Sequence, residues 1–563
     1  MSYSSEQHLP AFNIKRHVEY AMMNMTNTVD YEQQFLPFFL FDLLSDPPKL
    51  QHSEWDFGSS TGRMVTSFIL GRAMTGTDVG LEVEEKLKEN LISYFGNDGL
   101  SYRKEGPFSR HEAFMHDQRA VIMGLTAWLA ESRDPGIENK LKKLCRALYE
   151  IAAEHKYYPS PAYRPNGWLP VTSAERTGWC SSPQEHEPVK MPVPPVTSGR
   201  QIYQLMKYYE LTGDEVAWLL AENFAHHSAF EDDTIGPDGS FNYRHQYIHF
   251  HSVSGTMVGL LEFGWVSRDW KYIERAKRMY DWAKRHGSSF GWFPESLRDE
   301  EVSETCCIVD MLEASILLAK IGFTEYWNDA ERYLRNHLVE AQLVDTSWIK
   351  ESTRARTPEA VFDNIPKRAF GAFAGWSLPN DFISRKYHNW DIMNCCTYHA
   401  INGLYHAWRD AIVTTGSTTH INLLIDRHTK VINVRSWLPY QGGLEIDLHK
   451  DTVLYVRLPE GVSPKDIRCH IDGYDTSPTV LGNYLRLGRL CSGQHCLIEF
   501  PLAIRQETER VYGNDYIVKW KGNTVVGISP VGTVVPLYQR ERFMKDSQPT
   551  EVVNPEPLES TIF

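Results

Sequence analysis

Nowhere in its 563 residues does the chain gather the roughly eighteen consecutive apolar residues that a membrane-spanning helix needs. Its opening stretch, MSYSSEQHLPAFNIKRHVEY, lacks the basic start and apolar run of a secretion signal, so a cytoplasmic protein with no membrane partner is expected. No run of lysine and arginine is dense enough to form a basic patch. The formal net charge of -14 also works against a polyanionic partner, and nucleic acid is excluded as an expected ligand. Cysteine is scarce: nine residues, an odd number, with two adjacent pairs at Cys306-Cys307 and Cys395-Cys396. That distribution is unlike a disulfide framework, and a reducing compartment leaves such thiols free for metal binding or catalysis. Disorder and fibrous repeats are excluded too, since apolar residues make up 42% and charged residues 23% of the chain.

What is present is helical periodicity. From about residue 60 to 412 apolar residues recur at helix spacing, as in Leu141, Leu144, Leu148 and Ile151, or Ile401, Leu404, Tyr405 and Trp408. Thr212-Gly213 followed by Asp214 reads as the end of one helix and the start of the next. Between helices a turn followed by a large apolar residue recurs, at Asn97-Asp98-Gly99-Leu100, Asn166-Gly167-Trp168, Asp238-Gly239-Ser240-Phe241 and Gly291-Trp292-Phe293. The spacing matches one helical hairpin with its loops, which predicts a mainly α protein built as an (α/α)6 toroid over residues 1–414. After about residue 415 the pattern changes to period two, seen in Leu444, Ile446 and Leu448, and residues 415–563 are expected to form a β-sandwich region.

Glu304-Thr305-Cys306 stands just before one apolar helical run, Ile308 to Leu318, and Cys395-Cys396 just before another, Ile401 to Ile412. Both motifs therefore open a helix, where the positive end of the helix dipole favours a thiolate. One carboxylate and three thiolates would satisfy the tetrahedral preference of zinc and its affinity for sulfur. Spacing alone leaves a second reading open, in which these are buried core cysteines.

The order Glu-Thr-Cys, then Asn-Cys-Cys about ninety residues later, then a β-rich tail, resembles glycoside hydrolase family 127, the β-L-arabinofuranosidases. The similarity runs from Trp55-Asp56 through Asn97-Asp98-Gly99, the His116 helix and Thr212-Gly213-Asp214 to Leu438-Pro439-Tyr440 and Val456-Arg457-Leu458-Pro459, most of the chain. The resemblance implies a retaining hydrolase that removes a terminal β-L-arabinofuranosyl or related pentose or deoxy-sugar residue, with zinc as its cofactor. It implies Glu304, Cys306, Cys395 and Cys396 as metal ligands, with Cys395 in the nucleophile position, and Glu295 in Phe293-Pro294-Glu295-Ser296 as acid/base. His116 and His249 match positions that contact the sugar. The chain departs from the family at Thr197-Ser198-Gly199-Arg200-Gln201, where a further histidine and acidic residues are usual, and at Thr397-Tyr398-His399, where prolines are.

The expected partner is a small carbohydrate or oligosaccharide; self-association into a homodimer is left open. Two further classes remain alongside the hydrolase. A sugar isomerase or epimerase on a similar toroid would make the paired cysteines incidental, and a non-catalytic carbohydrate-binding protein would use zinc structurally.

Overall fold

The computed structural model describes residues 11–154, 199–231, 234–241, 249–297, 301–384, 390–551 and 553. Its helices are α1 (Ile14–Asn27), α2 (Gly58–Thr75), α3 (Leu81–Ser93), α4 (Met115–Ser132), α5 (Pro135–Glu154), α6 (Gln201–Thr212), α7 (Glu215–His226), α8 (Phe250–Ser267), α9 (Trp270–Lys284), α10 (Thr305–Ile321), α11 (Tyr326–Tyr333), the short α12 (Ile365–Ala369) and α13 (Cys395–Ala411). Packing sorts them into two layers. Helices α2, α4, α6, α8, α10 and α13 each contact the next, and α13 returns to α2, which closes a ring. The remaining long helices pack outside it.

Sequence explains the sorting. Outer helix α9 buries Tyr272, Ile273, Ala276, Met279, Tyr280 and Ala283 at one-face spacing and leaves Glu274, Lys271 and Arg278 to solvent. Inner α10 is buried almost all round from Thr305 to Ala319, as a helix enclosed by neighbours must be. The sequence reading began the helical region near residue 60; the structure adds α1, an outer helix against α2 and α13. Gly213 does cap α6 in the left-handed conformation, and the Asp214 side chain accepts the Ala217 N–H at 2.9 Å to start α7.

The recurring turns lie where an outer helix hands over to an inner one. Gly239 has φ +87°, and a Cβ there would sit 2.3 Å from the Arg278 backbone of α9. Gly99 approaches Lys143 of α5 and Gly291 approaches Tyr333 of α11 in the same manner, so each turn wedges against the next outer helix. The turn at Asn166-Gly167-Trp168 lies outside the described residues.

Apart from short strands such as Leu40–Asp42 and Ile392–Met393, the β-rich region begins at Ile412, directly after α13 and slightly before the expected boundary at 415. A six-stranded sheet contains Ile432–Ser436 and Gly443–Leu448, paired antiparallel with Val434 opposite Ile446. A five-stranded sheet centres on Thr452–Arg457, which runs parallel to Thr418–Ile421 and antiparallel to Tyr484–Leu490. Their facing side chains, among them Ile432, Val434, Ile446, Leu454, Val456 and Ile498, form one core separate from the helical core. A third sheet of Ile504–Val511, Asn514–Lys521 and Thr524–Ser529 behaves differently: Val518, Trp520 and Val525 join the core of the ring. No helix among the described residues is long and apolar enough to cross a membrane.

The sandwich is tied to the ring through buried charge. Glu331 of α11, fully buried, pairs with Arg335 at 2.8 Å and with Arg457 of the sandwich, whose Nη1 also donates to Asn328 at 2.7 Å. Glu331→Gln would leave two buried guanidinium groups without their shared anion. It is expected to destabilise the fold by about 3–5 kcal/mol, which urea denaturation would read.

Candidate active site

Side-chain contacts link the N-terminal halves of the inner helices in a complete circuit. Arg63 of α2 donates to His116 of α4 at 2.8 Å, and Gln201 of α6 donates to the Met115 carbonyl at 2.9 Å. Arg200, the N-cap of α6, donates to His251 of α8, whose Nδ1 lies 2.6 Å from Asp310 of α10. Cys306 of α10 meets Cys396 of α13 with sulfurs 3.8 Å apart, and Ser67 of α2 donates to the Tyr398 carbonyl of α13 at 2.8 Å. All six inner helices therefore begin at the same end of the ring, and their N-termini converge there.

The thiols are brought together by a strap. Residues Phe373 and Ala374 cross between the two helix ends: the Phe373 N–H donates to the Thr397 hydroxyl at 3.0 Å, and the Thr305 hydroxyl donates to the Ala374 carbonyl at 2.9 Å. The strand Ile392–Met393 pairs with Leu40–Asp42, and the Asn394 N–H donates to the Phe39 carbonyl at 2.8 Å, which fixes where α13 starts. As a result the sulfurs of Cys306, Cys395 and Cys396 all lie within 4.8 Å of one another. Two thiolates bound to tetrahedral zinc at about 2.3 Å must stand about 3.8 Å apart, and the Cys306–Cys396 separation meets that requirement. The donor set fits a thiophilic metal.

A second group, His249, Glu295 and Glu304, adjoins the first. His249 caps α8; its Nδ1 lies 2.9 Å from the Ser252 hydroxyl, and its Nε2 lies 2.9 Å from Glu304 and 3.8 Å from Glu295. Glu295 is buried, and its backbone pairs with Phe250 and Val302. The sequence reading placed Glu304 with the three thiols. In the structure Glu304, the N-cap of α10 two residues before Cys306, has its carboxylate grouped with His249 and Glu295 and 2.9 Å from the His249 Nε2.

The electrostatics separate the three thiols. Burial pushes Cys306 and Cys396 well above the usual thiol range, whereas hydrogen bonds from Cys306 and Cys396, aided by the Arg63 and Arg200 cations, hold Cys395 well below it. His116 is kept neutral by burial and then by Arg63, so its Nε2 accepts the arginine N–H and its proton sits on Nδ1. His116 faces the edge of Trp55 at 5.3 Å and shares the wall of the ring with Arg63; its contacts are not with the thiols. Cys307, also buried, belongs to none of these groups and packs in the core of the ring.

The sequence reading missed a layer one helical turn deeper. His251, Asp310, Glu313 and His399 stand there, and His251 and His399 each bring a ring nitrogen within 4.8 Å of the Cys306 sulfur. Arg200 occupies one nitrogen of His251 and Asp310 the other, so the imidazole is neutral with its proton on Nδ1. Burial raises Asp310 to about 7 and Glu313 to about 8. A signal existed: Cys306, Asp310 and Glu313, like Cys395, His399, Asn402 and His406, mark a polar stripe at helical period on otherwise apolar helices.

No protein-family model matches the sequence, and no curated protein does either. Solved structures do match. A GH127 β-arabinofuranosidase superposes with a TM-score of 0.58 at 12% identity, covering 90% of this chain and 78% of that one. The chain shares its fold. A GH127 β-L-arabinofuranosidase from Geobacillus stearothermophilus T6 gives 0.55 at 12% identity, over 91% of this chain and 80% of that one. A protein described as a glycoside hydrolase gives 0.56 at 11% identity, over 88% and 84%. The GH127 fold thus accounts for both the helical ring and the β-rich region that follows it.

Proposed function

We propose that the protein is a retaining glycoside hydrolase with Cys395 as nucleophile and Glu295 as acid/base. The observation that supports this reading most strongly is the convergence of three cysteine sulfurs, from chain positions ninety residues apart, beside a glutamate–histidine–glutamate group whose two carboxylates are buried and whose histidine is half-buried. Cys306, Cys395 and Cys396 would hold a zinc ion, with Glu304 as the fourth ligand. When bound, zinc would keep the sulfurs deprotonated at neutral pH.

The chain's own groups supply the remaining chemistry. The Cys395 sulfur attacks the anomeric carbon; the bond from that carbon to the leaving oxygen breaks, and its electron pair takes the proton carried by Glu295. Water then attacks the same carbon, gives its proton to Glu295 and releases the sulfur. His249 is the positioning residue. With one ring nitrogen toward Ser252 and the other facing both carboxylates, it fixes Glu295 relative to the thiols. An α-helical ring with its helix N-termini gathered at one end is a suitable scaffold, because those ends carry partial positive charge that favours the thiolate form of the attacking sulfur. The β-L-arabinofuranosyl or related pentose or deoxy-sugar residue that the family resemblance suggests is the sugar attacked at its anomeric carbon and then released by water.

The test is a panel of pentose, deoxy-sugar and uronic aryl glycosides. Glu295→Gln is expected to lower the rate on the best substrate by about 10²- to 10⁴-fold, with the smallest loss where the aryl leaving group needs no proton. A Glu295→Gln enzyme with the wild-type rate on every substrate would remove Glu295 from the mechanism. An isomerase or epimerase would instead interconvert free sugars and leave all aryl glycosides intact.

A further inference from the structure

Below the thiols the ring wall holds three buried guanidinium groups, and among the described residues none has a carboxylate within ion-pair distance. Arg63 gives one N–H to His116 and Arg200 one to His251, while the buried Nε of Arg119 has no hydrogen-bond partner among the described residues. Exposure is 6% for Arg63, 7% for Arg119 and 3% for Arg200, so bulk water does not take over the task. The carboxylates nearby make their hydrogen bonds elsewhere, Asp310 to His251 and Ser254 and Glu304 to His249, and Asp310 reaches Arg119 and Arg200 only at longer range. Arg63 and Arg119 both line a partly open cavity of about 50 Å³, whose other walls include His399, Asn402, Glu313 and Lys207. That volume admits a few waters or one small charged group, and is too small for a second sugar ring.

Asp310 and Cys306 act on Arg119 and Arg200 only through space, and a buried cation with no anion in contact is costly, so proteins rarely keep one unless something binds there. The thiolate cluster offsets part of the charge at longer range, since Arg63 and Arg200 act on Cys395 electrostatically. It does not accept the buried Nε–H of Arg119, and hydrogen bonding is satisfied only at contact distance. A guanidinium presents a planar fork that matches a carboxylate with two parallel hydrogen bonds; a neutral hydroxyl would leave the charge uncompensated. The cavity adjoins the reacting centre through His399, one turn after Cys395 on α13 and close to the Cys306 sulfur.

We propose that the sugar taken by this site is acidic, and that Arg119 and Arg63 receive its carboxylate in the cavity beside His399. This rests on the reading of the thiol cluster as the catalytic centre, and it changes the substrate class from a neutral pentoside to a sugar acid.

The test is calorimetric binding to the zinc-loaded enzyme, with no turnover required. The probes are D-glucuronate, D-galacturonate, the methyl ester of each, and glucose 6-sulfate. At least one uronate is expected to bind about tenfold or more tighter than its methyl ester. Arg119→Met should bring that ratio close to one, and Arg119→Lys should preserve part of it. Equal affinity for acid and ester overturns the proposal, as does a preference for the sulfate over both uronates. Should Arg119→Met fail to fold, the acid-to-ester ratio in wild type and Arg119→Lys still decides. Cys395→Ser separates the two readings, since it leaves the arginines in place. Uronate preference without cleavage of any glycoside sinks the hydrolase and keeps the anion site; cleavage of neutral pentosides with no uronate preference does the reverse.

Discussion

Cys395→Ser is expected to reduce kcat/KM on the best glycoside by about ten-thousandfold or more, with the ring still folded. The reason is chemical more than steric. Serine fills almost the same volume at the start of α13, but its hydroxyl stays protonated at neutral pH and no other group within the cluster is placed as a general base for it. Cys306 and Cys396, whose sulfurs complete the cluster, are two further thiols and have no free proton acceptor to offer while they bind metal. Circular dichroism and thermal melting would show the fold intact, and stopped assays on an activated aryl glycoside would show no burst of released phenol. If the serine variant keeps even a tenth of the wild-type rate, the sulfur of Cys395 is not the attacking atom, and the glutamate pair around His249 becomes the place to look for direct attack by water.

How far this site could be read from sequence depends on how its residues are spaced. Cys306 and Cys395-Cys396 were legible because each falls immediately before an apolar helical run, so position at a helix start and candidate chemistry coincide. That the two starts meet is a property of the ring: α10 and α13 pack directly against each other, the strap at Phe373-Ala374 bonds to both helix ends, and no local pattern announces either contact. Arg63, Arg119 and Arg200 were invisible for a related reason. Each is a lone cation on a separate inner helix, and an isolated arginine at a helix start ordinarily reads as a solvated charge. Only closure of the ring turns three such residues into one buried, positive wall.

Helix α1 was overlooked because its buried positions, Val18, Ala21, Met22 and Met25, are small or flexible side chains, and thirty residues without a long helix separate it from α2. The strands of the tail were recovered from their alternation. Period two does not say which surface a strand will cover, however, and so the return of Asn514–Lys521 to the helical core had no signature. The resemblance to family 127 extended over both regions and agrees with the superposition on GH127 enzymes at 12% identity, a level at which fold persists after most side chains have changed.

Removing one ligand of the proposed metal site should have the second-largest effect, and on a different observable. Cys306→Ala is expected to lose stoichiometric zinc on dialysis and to lower the melting temperature, because metal affinity is also folding free energy: ligands gathered from α10 and α13 hold those two helices together through the ion. Free-energy losses on the order of several kcal/mol are reasonable for a site whose zinc binding in small domains contributes about 10–16 kcal/mol, the ring core retaining most of the remaining stability. A chelator applied to the wild type should reproduce the same drop, and a chelator applied to Cys306→Ala should add little to it. The fourth ligand can be read from the same experiment. Glu304→Ala should weaken zinc retention while His399→Ala should not, if the carboxylate turns from His249 to the metal; the opposite ranking would place the ion deeper, toward His251 and His399, and would separate it from the nucleophile. Cys307→Ala provides the internal control, since that thiol is equally buried, adjacent in sequence and outside the cluster. Equal zinc content and melting temperature in Cys306→Ala and Cys307→Ala would mean that three sulfurs at zinc-binding distance hold no metal in solution. The chemistry assigned to Cys395 would then have to proceed on the hydrogen bonds of its two neighbours alone.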